Sequence, residues 1–462
     1  MAAEPMMRHQ LEGVEYAEGR LSTIFHIGMG GGKTRLTLES LKQRGLNLVL
    51  VCCPKAVIPA WEKQAGLWTP EYDVLLLEKG PASKKASLVQ REVSRASAGG
   101  SRLIVVINYE SAWRLGILEK IQWDALVYDE VHRLKSPSGK ASRWAALMGK
   151  RNPQTPRYGL SGTLLAHSPL DGYGVYRAME SPDCKTFGNS YALFRSRWAI
   201  TNPAIPQMVI GYRDQPGFSK LIADTTFHRK SEDILDLPEL MQHRVDVELA
   251  PAERRVYSQL ESDFIAEVGA GTVSPANAMV QLGRMLEICG GHVHFDGDAY
   301  ATELCSPPSK AAALREIVED LGPDEPLVVF ARYRAELDSI LRECGRAGRS
   351  VSELSGRRNQ LAEWQDGKTS TLVANTQSGG IGIDLTRASY GIFYSLSHSL
   401  ADWLQAIARL HRPGQKKTTH FYSLVAVTSG GQTVDGAVHR ALMERREVID
   451  DILERAAGFL KD

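Results

Sequence analysis

The chain has almost no net charge, few cysteines and no long apolar run. Its 55 Lys and Arg against 54 Asp and Glu leave a formal charge of +1 over 462 residues. Affinity for a polyanion would therefore need a local basic groove, since the overall balance offers none. Six cysteines, at positions 52, 53, 184, 289, 305 and 344, show no paired C-x-x-C spacing, and no apolar signal segment follows Met1. A disulfide framework is not expected, and the expected compartment is a reducing cytoplasm. No stretch of 18 apolar residues occurs, so no membrane-spanning helix and no membrane partner are expected. Cys289, His292, His294 and Cys305 could in principle ligate zinc, but their irregular spacing lacks a second pair, and a structural loop without metal is expected.

What the chain does have is a glycine-rich stretch, His26-Ile27-Gly28-Met29-Gly30-Gly31-Gly32-Lys33-Thr34, running into the amphipathic segment Leu36 to Leu41. Closely spaced glycines let backbone N–H groups converge on phosphate oxygens, and a following helix adds its positive N-terminal end. Gly28, Gly30, Gly31 and Gly32 would form the cradle, Lys33 would reach the outer phosphates of ATP, and Thr34 would ligate Mg²⁺. The strict pattern wants Gly at 27, where this chain has Ile27; an ordinary glycine-rich turn is the competing reading. Upstream, Arg8-His9-Gln10 precedes a short helix-like run. The Gln10 amide could pair with both edges of adenine, although a single Gln near a terminus reads equally as a surface residue.

Downstream, apolar runs at Leu46 to Val51, Leu103 to Ile107, Ala125 to Tyr128 and Tyr158 to Leu160 alternate with helix-like stretches, the pattern of a doubly wound parallel sheet. Cys52 and Cys53 read as core. The third run ends in Asp129-Glu130, which puts two carboxylates at the carboxyl edge of the sheet, where α/β folds bind ligands. Asp129 would hold Mg²⁺ and Glu130 would polarise the attacking water. Ser161 and Thr163 sit in Leu160-Ser161-Gly162-Thr163, a turn after the fourth strand. Phe187, Tyr191, Phe194 and Trp198 read as a packed helical insertion, and His228-Arg229-Lys230 as a basic cluster open to nucleic acid.

A second alternating pattern starts after a helical insertion at about 251–300, with strands expected at Leu327 to Phe330, Ser350 to Leu354, Thr371 to Ala374, Gly391 to Tyr394 and His420 to Leu424. It carries no GKT, so it would serve the first lobe's nucleotide. Its candidates are Gly382 and Asp384 in a glycine-rich segment, and Arg409 and Arg412, whose spacing of one helical turn would put two guanidiniums on one face. An exposed basic helix end is the alternative. The domains read as 1–235 and 236–462.

Taken in order, RHQLEGVEY, GMGGGKT, VCCPKAVIPAWEKQ, VINYE, DEVHRLKSPSGK, LSGT, PLVVFARY, QSGGIGIDLTRA, QAIARLHRPGQ and TVDGAV resemble the motifs of helicase superfamily 2, specifically its SWI/SNF-type DNA-dependent ATPases. The resemblance covers nearly the whole chain. It implies two RecA-like lobes in tandem with helical insertions, ATP and Mg²⁺ as cofactors, and double-stranded DNA as partner. It implies catalytic roles for Lys33, Glu130, Arg409 and Arg412, the arginines acting as fingers, and adenine reading by Gln10. Gly382 and Asp384 would flank the nucleotide, and Ser161 and Thr163 would couple the lobes. Pro54, Lys55, Asn108, Tyr109 and Thr376 fall in segments that track a DNA strand in the family. The chain departs from the pattern after SGT, where Leu164 replaces the usual Pro, and at Ala408, often Gly. With no added chromatin-reading domain evident, it is closest to bacterial or phage members and is expected to act as a monomer. The implied activity is ATP-driven translocation on duplex DNA; alternatives are an RNA- or fork-directed helicase and a nucleotide-gated DNA-binding scaffold with weak hydrolysis.

Overall fold

The computed structural model describes residues 5–165, 168–203, 209–269, 275–294, 301–376 and 383–458. It divides into two compact units, one formed by Met1–Asp236 with Glu447–Asp462 and the other by Leu237–Arg446. Each is built on a parallel sheet.

The first unit has seven strands in the order Tyr72–Leu76, Arg102–Asn108, Leu48–Cys53, Ala125–Asp129, Arg157–Ser161, Ser22–Ile27 and Thr226–Arg229. Central strands such as LVLVCC and ALVYD are buried nearly end to end, as expected when helices cover both faces. Cys52 and Cys53 are core, and burial pushes both thiols up. The strand that opens the sheet, Ser22–Ile27, lies three places from the next in sequence, Leu48–Cys53. This crossover makes three adjacent strands, Ala125–Asp129, Arg157–Ser161 and Ser22–Ile27, end side by side. Asp129 is in register with Leu160, and Ser161 with His26. The carboxylates, the SGT turn and the glycine loop therefore emerge at one sheet edge, the crevice that a change in strand order creates.

The aromatic insertion is a small core, as its composition suggests. Phe187 packs on Phe194 and Phe218 with ring centroids 4.8 and 5.0 Å apart, and Trp198 meets Phe218 edge-on at 5.2 Å.

The second unit has six parallel strands in the order Leu240–Glu248, Thr419–Thr428, Tyr390–Phe393, Leu327–Ala331, Thr371–Asn375 and Val351–Leu354, with Gly431–Gln432 added antiparallel. Helices Pro251–Gly269 and Pro275–Cys289 form the insertion. Below the sheet lies a buried ion pair: Lys310 Nζ donates to Asp435 Oδ2 at 2.6 Å and to Tyr394 O at 2.9 Å, and the same carboxylate oxygen accepts Ala426 N–H at 2.9 Å. That network explains the acid of the trailing Thr-Val-Asp, because one unpaired member would be a buried charge costing about 3–5 kcal/mol. The last helix, Val434–Gly458, contributes its residues from Glu447 onward to the first unit.

Candidate active site

The glycine loop begins where Ile27 ends its strand. Ile27 is fully buried among Phe25, Leu36, Val127 and other residues of the first core. Its Cγ2 lies 2.5 Å from where a Cβ on Gly31 would stand, so the Ile at 27 fills the floor under the loop. Gly30 and Gly32 adopt φ of +84° and +72°, left-handed values that other residues reach only with strain. At Gly32 a Cβ would also lie 2.2 Å from Gln10 Nε2. Gly32 is the N-cap of the helix Lys33–Gln43, whose first turn carries no acid to compete with an anion.

Two side chains of the helix Arg8–Ala17 hold the loop from outside. His9 Nε2 donates to Gly31 O at 2.7 Å, and Gln10 Nε2 reaches Gly32 O at 3.4 Å while Gln10 Oε1 accepts Met7 N–H at 2.9 Å. Gln10 thus engages both ends of its amide with the protein. Lys33 turns its ammonium back onto the loop, donating to Ile27 O at 2.9 Å. Burial lowers its pKa, and the charges of Glu130 and Asp129 oppose that shift.

The carboxylates are built to different ends. Asp129 accepts Trp61 Nε1–H at 3.0 Å and Glu130 N–H at 2.9 Å, and its carbonyl accepts the Tyr109 hydroxyl at 2.8 Å. Burial, then the neighbouring Glu130 charge, raises its pKa to about 6. Glu130 occupies the left-handed region at φ 51°, ψ 55°, a strained placement for a side chain with a Cβ. Burial would raise its pKa too, but His132 and the charges of Lys33 and Arg133 prevail and lower it. Glu130 Oε2 stands 3.2 Å from His132 Nδ1, within ion-pair range but poorly aligned for a hydrogen bond, so this oxygen is buried without a directed donor. The same His132 nitrogen lies 3.1 Å from Ser161 Oγ and 3.4 Å from Thr163 Oγ1, and Ser161 Oγ accepts Thr163 N–H at 3.0 Å. One imidazole joins the carboxylate turn to the SGT turn.

Residues read as DNA-facing fall into two kinds. Lys55 is exposed just after the strand Leu48–Cys53, behind Pro54. Tyr109 is buried under Asp129, an anchor with no surface to offer a strand; Asn108, also buried, donates to Glu110 at 2.9 Å. Thr376 bonds Ala331 O through both its amide and its hydroxyl. The basic cluster is closed too, since Arg229 pairs with Glu12 and Lys230 with Glu454.

In the second unit the shared helical face of Arg409 and Arg412 is not formed. The helix spans Leu400–Leu410, so Arg412 lies beyond its end. Pro413 disfavours helical geometry in the residue before it, Gly414 turns at φ +104°, and the His411 ring is held to Pro238 O at 2.7 Å. Arg409 is buried at the helix end; desolvation lowers its pKa, with Asp402 opposing. Arg412 Nη1 reaches Ile383 O at 3.5 Å, and Leu385 N–H donates to Arg409 O, so the arginines and the Asp384 turn are neighbours. Asp384 itself caps Thr386, accepting both its amide and its hydroxyl. Gly382 lies outside the described residues.

The zinc-type side chains each have another partner. His292 bonds Ser339, His294 bonds Glu287, Cys305 bonds Pro307 O, and Cys289 is buried in the helical insertion. Among the described residues no group of three or more His, Cys, Asp or Glu is placed to hold a metal, and no helix is long and apolar enough to cross a membrane.

Two parallel-sheet α/β units, one with a glycine loop and a carboxylate pair at one sheet edge and the other with Arg409 and Arg412 beside the Asp384 turn, define an ATPase of helicase build. The SNF2-related domain model matches residues 9–290, more than half the chain, and the helicase conserved C-terminal domain model matches residues 309–414. The chain belongs to the SNF2-related family. Protein p41 of Acyrthosiphon pisum secondary endosymbiont phage 1 is 26% identical, covering 92% of this chain and 93% of its own length. The ISWI chromatin-remodeling complex ATPase ISW1 of Saccharomyces cerevisiae is 23% identical over 95% of this chain. The human DNA excision repair protein ERCC-6-like is 22% identical over 99%. The chain spans only 39% and 42% of the length of those two proteins. Among solved structures, the Hef helicase domain of Pyrococcus furiosus superposes with a TM-score of 0.54 at 14% identity, covering 95% of this chain and 98% of that one, a likeness of fold.

Proposed function

We propose that the protein hydrolyses ATP in response to duplex DNA and uses the cycle to move along it. The observation that carries this reading is the meeting at one sheet edge of the glycine loop, Lys33, Asp129, Glu130 and the His132–Ser161–Thr163 network. Family membership adds the nucleic-acid side, since relatives bear the names of chromatin-remodelling and excision-repair proteins.

The residues present suit ATP with Mg²⁺. Side chains at Gly28, Gly31 and Gly32 would collide with the loop's own surroundings, so the cradle is kept bare. Asp129 is a carboxylate at the sheet edge whose pKa is raised by burial and by the Glu130 charge, so a bound cation would relieve the crowding of negative charge there. Thr34 and Asp129 would hold the ion, which when bound would neutralise phosphate charge. Lys33 would exchange its carbonyl contacts for phosphate oxygens. Glu130, whose pKa His132 and the charges of Lys33 and Arg133 hold down against burial, would orient water and accept its proton. Gln10 would read adenine by giving up its contacts to Met7 and Gly32. Arg409 and Arg412 would complete the site, with Asp384 and Gly382 shaping its second side. Because phosphate loop and arginines lie in different units, hydrolysis would need the two to close, and Lys55, Pro54 and the segments at Asn108 and Thr376 would meet DNA along its backbone.

The test is steady-state ATPase with no nucleic acid, duplex DNA, single-stranded DNA and RNA, together with a triplex-displacement assay for movement. Strong stimulation by duplex DNA and displacement dependent on ATP are expected. Stimulation by RNA or forks in preference to duplex, or a rate that ignores nucleic acid, would refute the reading.

A further inference from the structure

The basic side chains of the aromatic insertion are left without a task by the phosphate chemistry at the glycine loop. Three of them, Lys185, Arg197 and Lys220, line one cavity of about 930 Å³ within the first unit, a volume in the range of small-molecule sites. The cavity lies at the amino edge of the sheet, the end away from the glycine loop. Ser22 and Arg157, paired in register as the first residues of their strands, line it together with Thr225, just ahead of the strand Thr226–Arg229. The strands that begin at Ser22 and Arg157 deliver the glycine loop and the SGT turn at their other ends.

The acids on the cavity wall are largely engaged. Glu180 Oε2 accepts Thr186 N–H at 2.9 Å, and Glu180 Oε1 accepts the hydroxyls of Thr186 and Thr225. Asp224 pairs with Arg20 at 3.0 Å. Lys185, Arg197 and Lys220 form no ion pair among the described residues, Arg197 resting on the Trp198 ring at 4.8 Å, and Asp183 is the one acid left on the wall to set against these three exposed cations. Behind them stands Arg157, only 2% exposed, whose guanidinium donates to the main-chain carbonyls of Met179 at 2.7 Å, Asn152 at 3.1 Å and Gly149 at 3.2 Å, while its Nε is buried without a partner. Desolvation lowers its pKa, with the charges of Tyr128 and then Glu180 opposing. An anion placed near a guanidinium kept from water in this way stabilises its charged form.

We propose that this cavity binds a phosphorylated small molecule carrying two or more negative charges, at a site separate from the glycine loop. Arg197 offers a planar fork, and Lys185 and Lys220 compact point charges, to the phosphate oxygens. Leu21, Pro153 and Leu221 give the carbon skeleton of such a ligand an apolar wall, which a bare phosphate backbone would not use. The site does not depend on the ATP reading above, because it shares no residue with the phosphate loop or the carboxylate pair.

The experiment uses the full chain with inorganic pyrophosphate as the probe. In a Lys33→Ala background, which weakens the glycine loop as an anion site, pyrophosphate should bind with a Kd of about 1 mM or tighter by calorimetry. It should also slow amide hydrogen exchange several-fold in residues 183–188 and 217–225. Adding Lys185→Glu and Lys220→Glu should weaken binding about 10-fold or more and abolish that protection, and the pair Lys185→Gln and Lys220→Gln, which adds no charge, should weaken it less. No binding in the Lys33→Ala background, protection confined to residues 28–34, or a Kd unmoved by the charge reversal would overturn the proposal. A labelled DNA duplex is the second arm, and at moderate salt the reversal should leave its affinity within about twofold of the parent. If the duplex instead loses about 10-fold while pyrophosphate leaves 183–188 unprotected, the cations belong to a nucleic-acid surface and the small-molecule site falls.

Discussion

The two units hold their chemistry in opposite ways. In the first, the carboxylates and the imidazole beside them are set by other side chains: Asp129 by Trp61 of the helix Ile58–Trp68, Glu130 by the nearby His132, and His132 by Ser161 and Thr163. In the second, Arg412 reaches the Ile383 carbonyl, and the Arg409 carbonyl accepts the Leu385 N–H. A carboxylate that must be ionised beside another carboxylate needs a dedicated partner to set its charge. A guanidinium is charged in any setting and needs only placement. The first unit therefore invests in electrostatics and the second in backbone geometry.

This contrast predicts which substitutions each unit tolerates. Replacing Arg409 or Arg412 by Lys keeps charge and loses the planar fork, so kcat should fall about 10³-fold or more if these are arginine fingers. Near-parental kcat in either Lys variant would remove that residue from catalysis. In the first unit Glu130→Gln keeps shape and loses the base, and kcat should fall about 10²-fold or more while nucleotide binding survives. Hydrolysis within a few-fold of the parent would mean that another group activates water.

A third prediction tests the first unit's dependence on a set protonation state. His26 Nδ1 and His228 Nδ1 are 2.6 Å apart with rings stacked at 4.7 Å, so one must donate and the other accept; both cannot be protonated, and burial favours the neutral pair. Desolvation, then His228 and Lys33, depresses His26; desolvation, with Lys230 and Arg229 adding and the His26 carbonyl and Asp233 opposing, lowers His228 to about 4. A His with a folded pKa below its unfolded value near 6.5 gives stability that is complete above about pH 6.5 and lost as pH falls toward 4. The loss should reach a few kcal/mol for the first unit. Denaturant unfolding at pH 7 and pH 5 of the parent and His228→Gln checks this: an equal pH dependence in both proteins would acquit the pair.

Much of this organisation was legible in the chain, for physical reasons that differ by element. Central strands such as Leu103 to Ile107 and Ala125 to Tyr128 are buried on both faces, so their apolar runs announce them. Most edge strands do not, Val351–Leu354 being the exception. Leu240–Glu248, at the sheet's margin, alternates charged and apolar residues only from Arg244 onward, and Thr226–Arg229 is four residues long with a His and an Arg in it. Tyr72–Leu76 is likewise an edge, half exposed. The phosphate loop and Asp129-Glu130 could be named from spacing because they are local. The roles of His9 and His132 could not, since each acts on a partner 22 or more residues away that only the strand order brings close. The helical spacing of Arg409 and Arg412 misled because periodicity assumes that a helix continues, and Pro413 ends it early.

The smallest expected effect concerns DNA, and it separates exposed from buried residues among those read as strand-facing. Lys55 is exposed at the carboxyl end of a central strand, while Tyr109 is sealed under Asp129. A Lys that meets one phosphate contributes about one released counterion, so Lys55→Ala should reduce the slope of log affinity against log salt by about 0.9 and weaken duplex binding similarly on every sequence. Tyr109→Phe removes only the hydroxyl that bonds the Asp129 carbonyl; it should leave the salt slope untouched and lower kcat modestly through the carboxylate turn. Fluorescence anisotropy with a labelled duplex at several salt concentrations, paired with ATPase rates at saturating DNA, measures both. An altered slope in Tyr109→Phe, or none in Lys55→Ala, would mean that the exposed rim of the first sheet is not where the backbone lies.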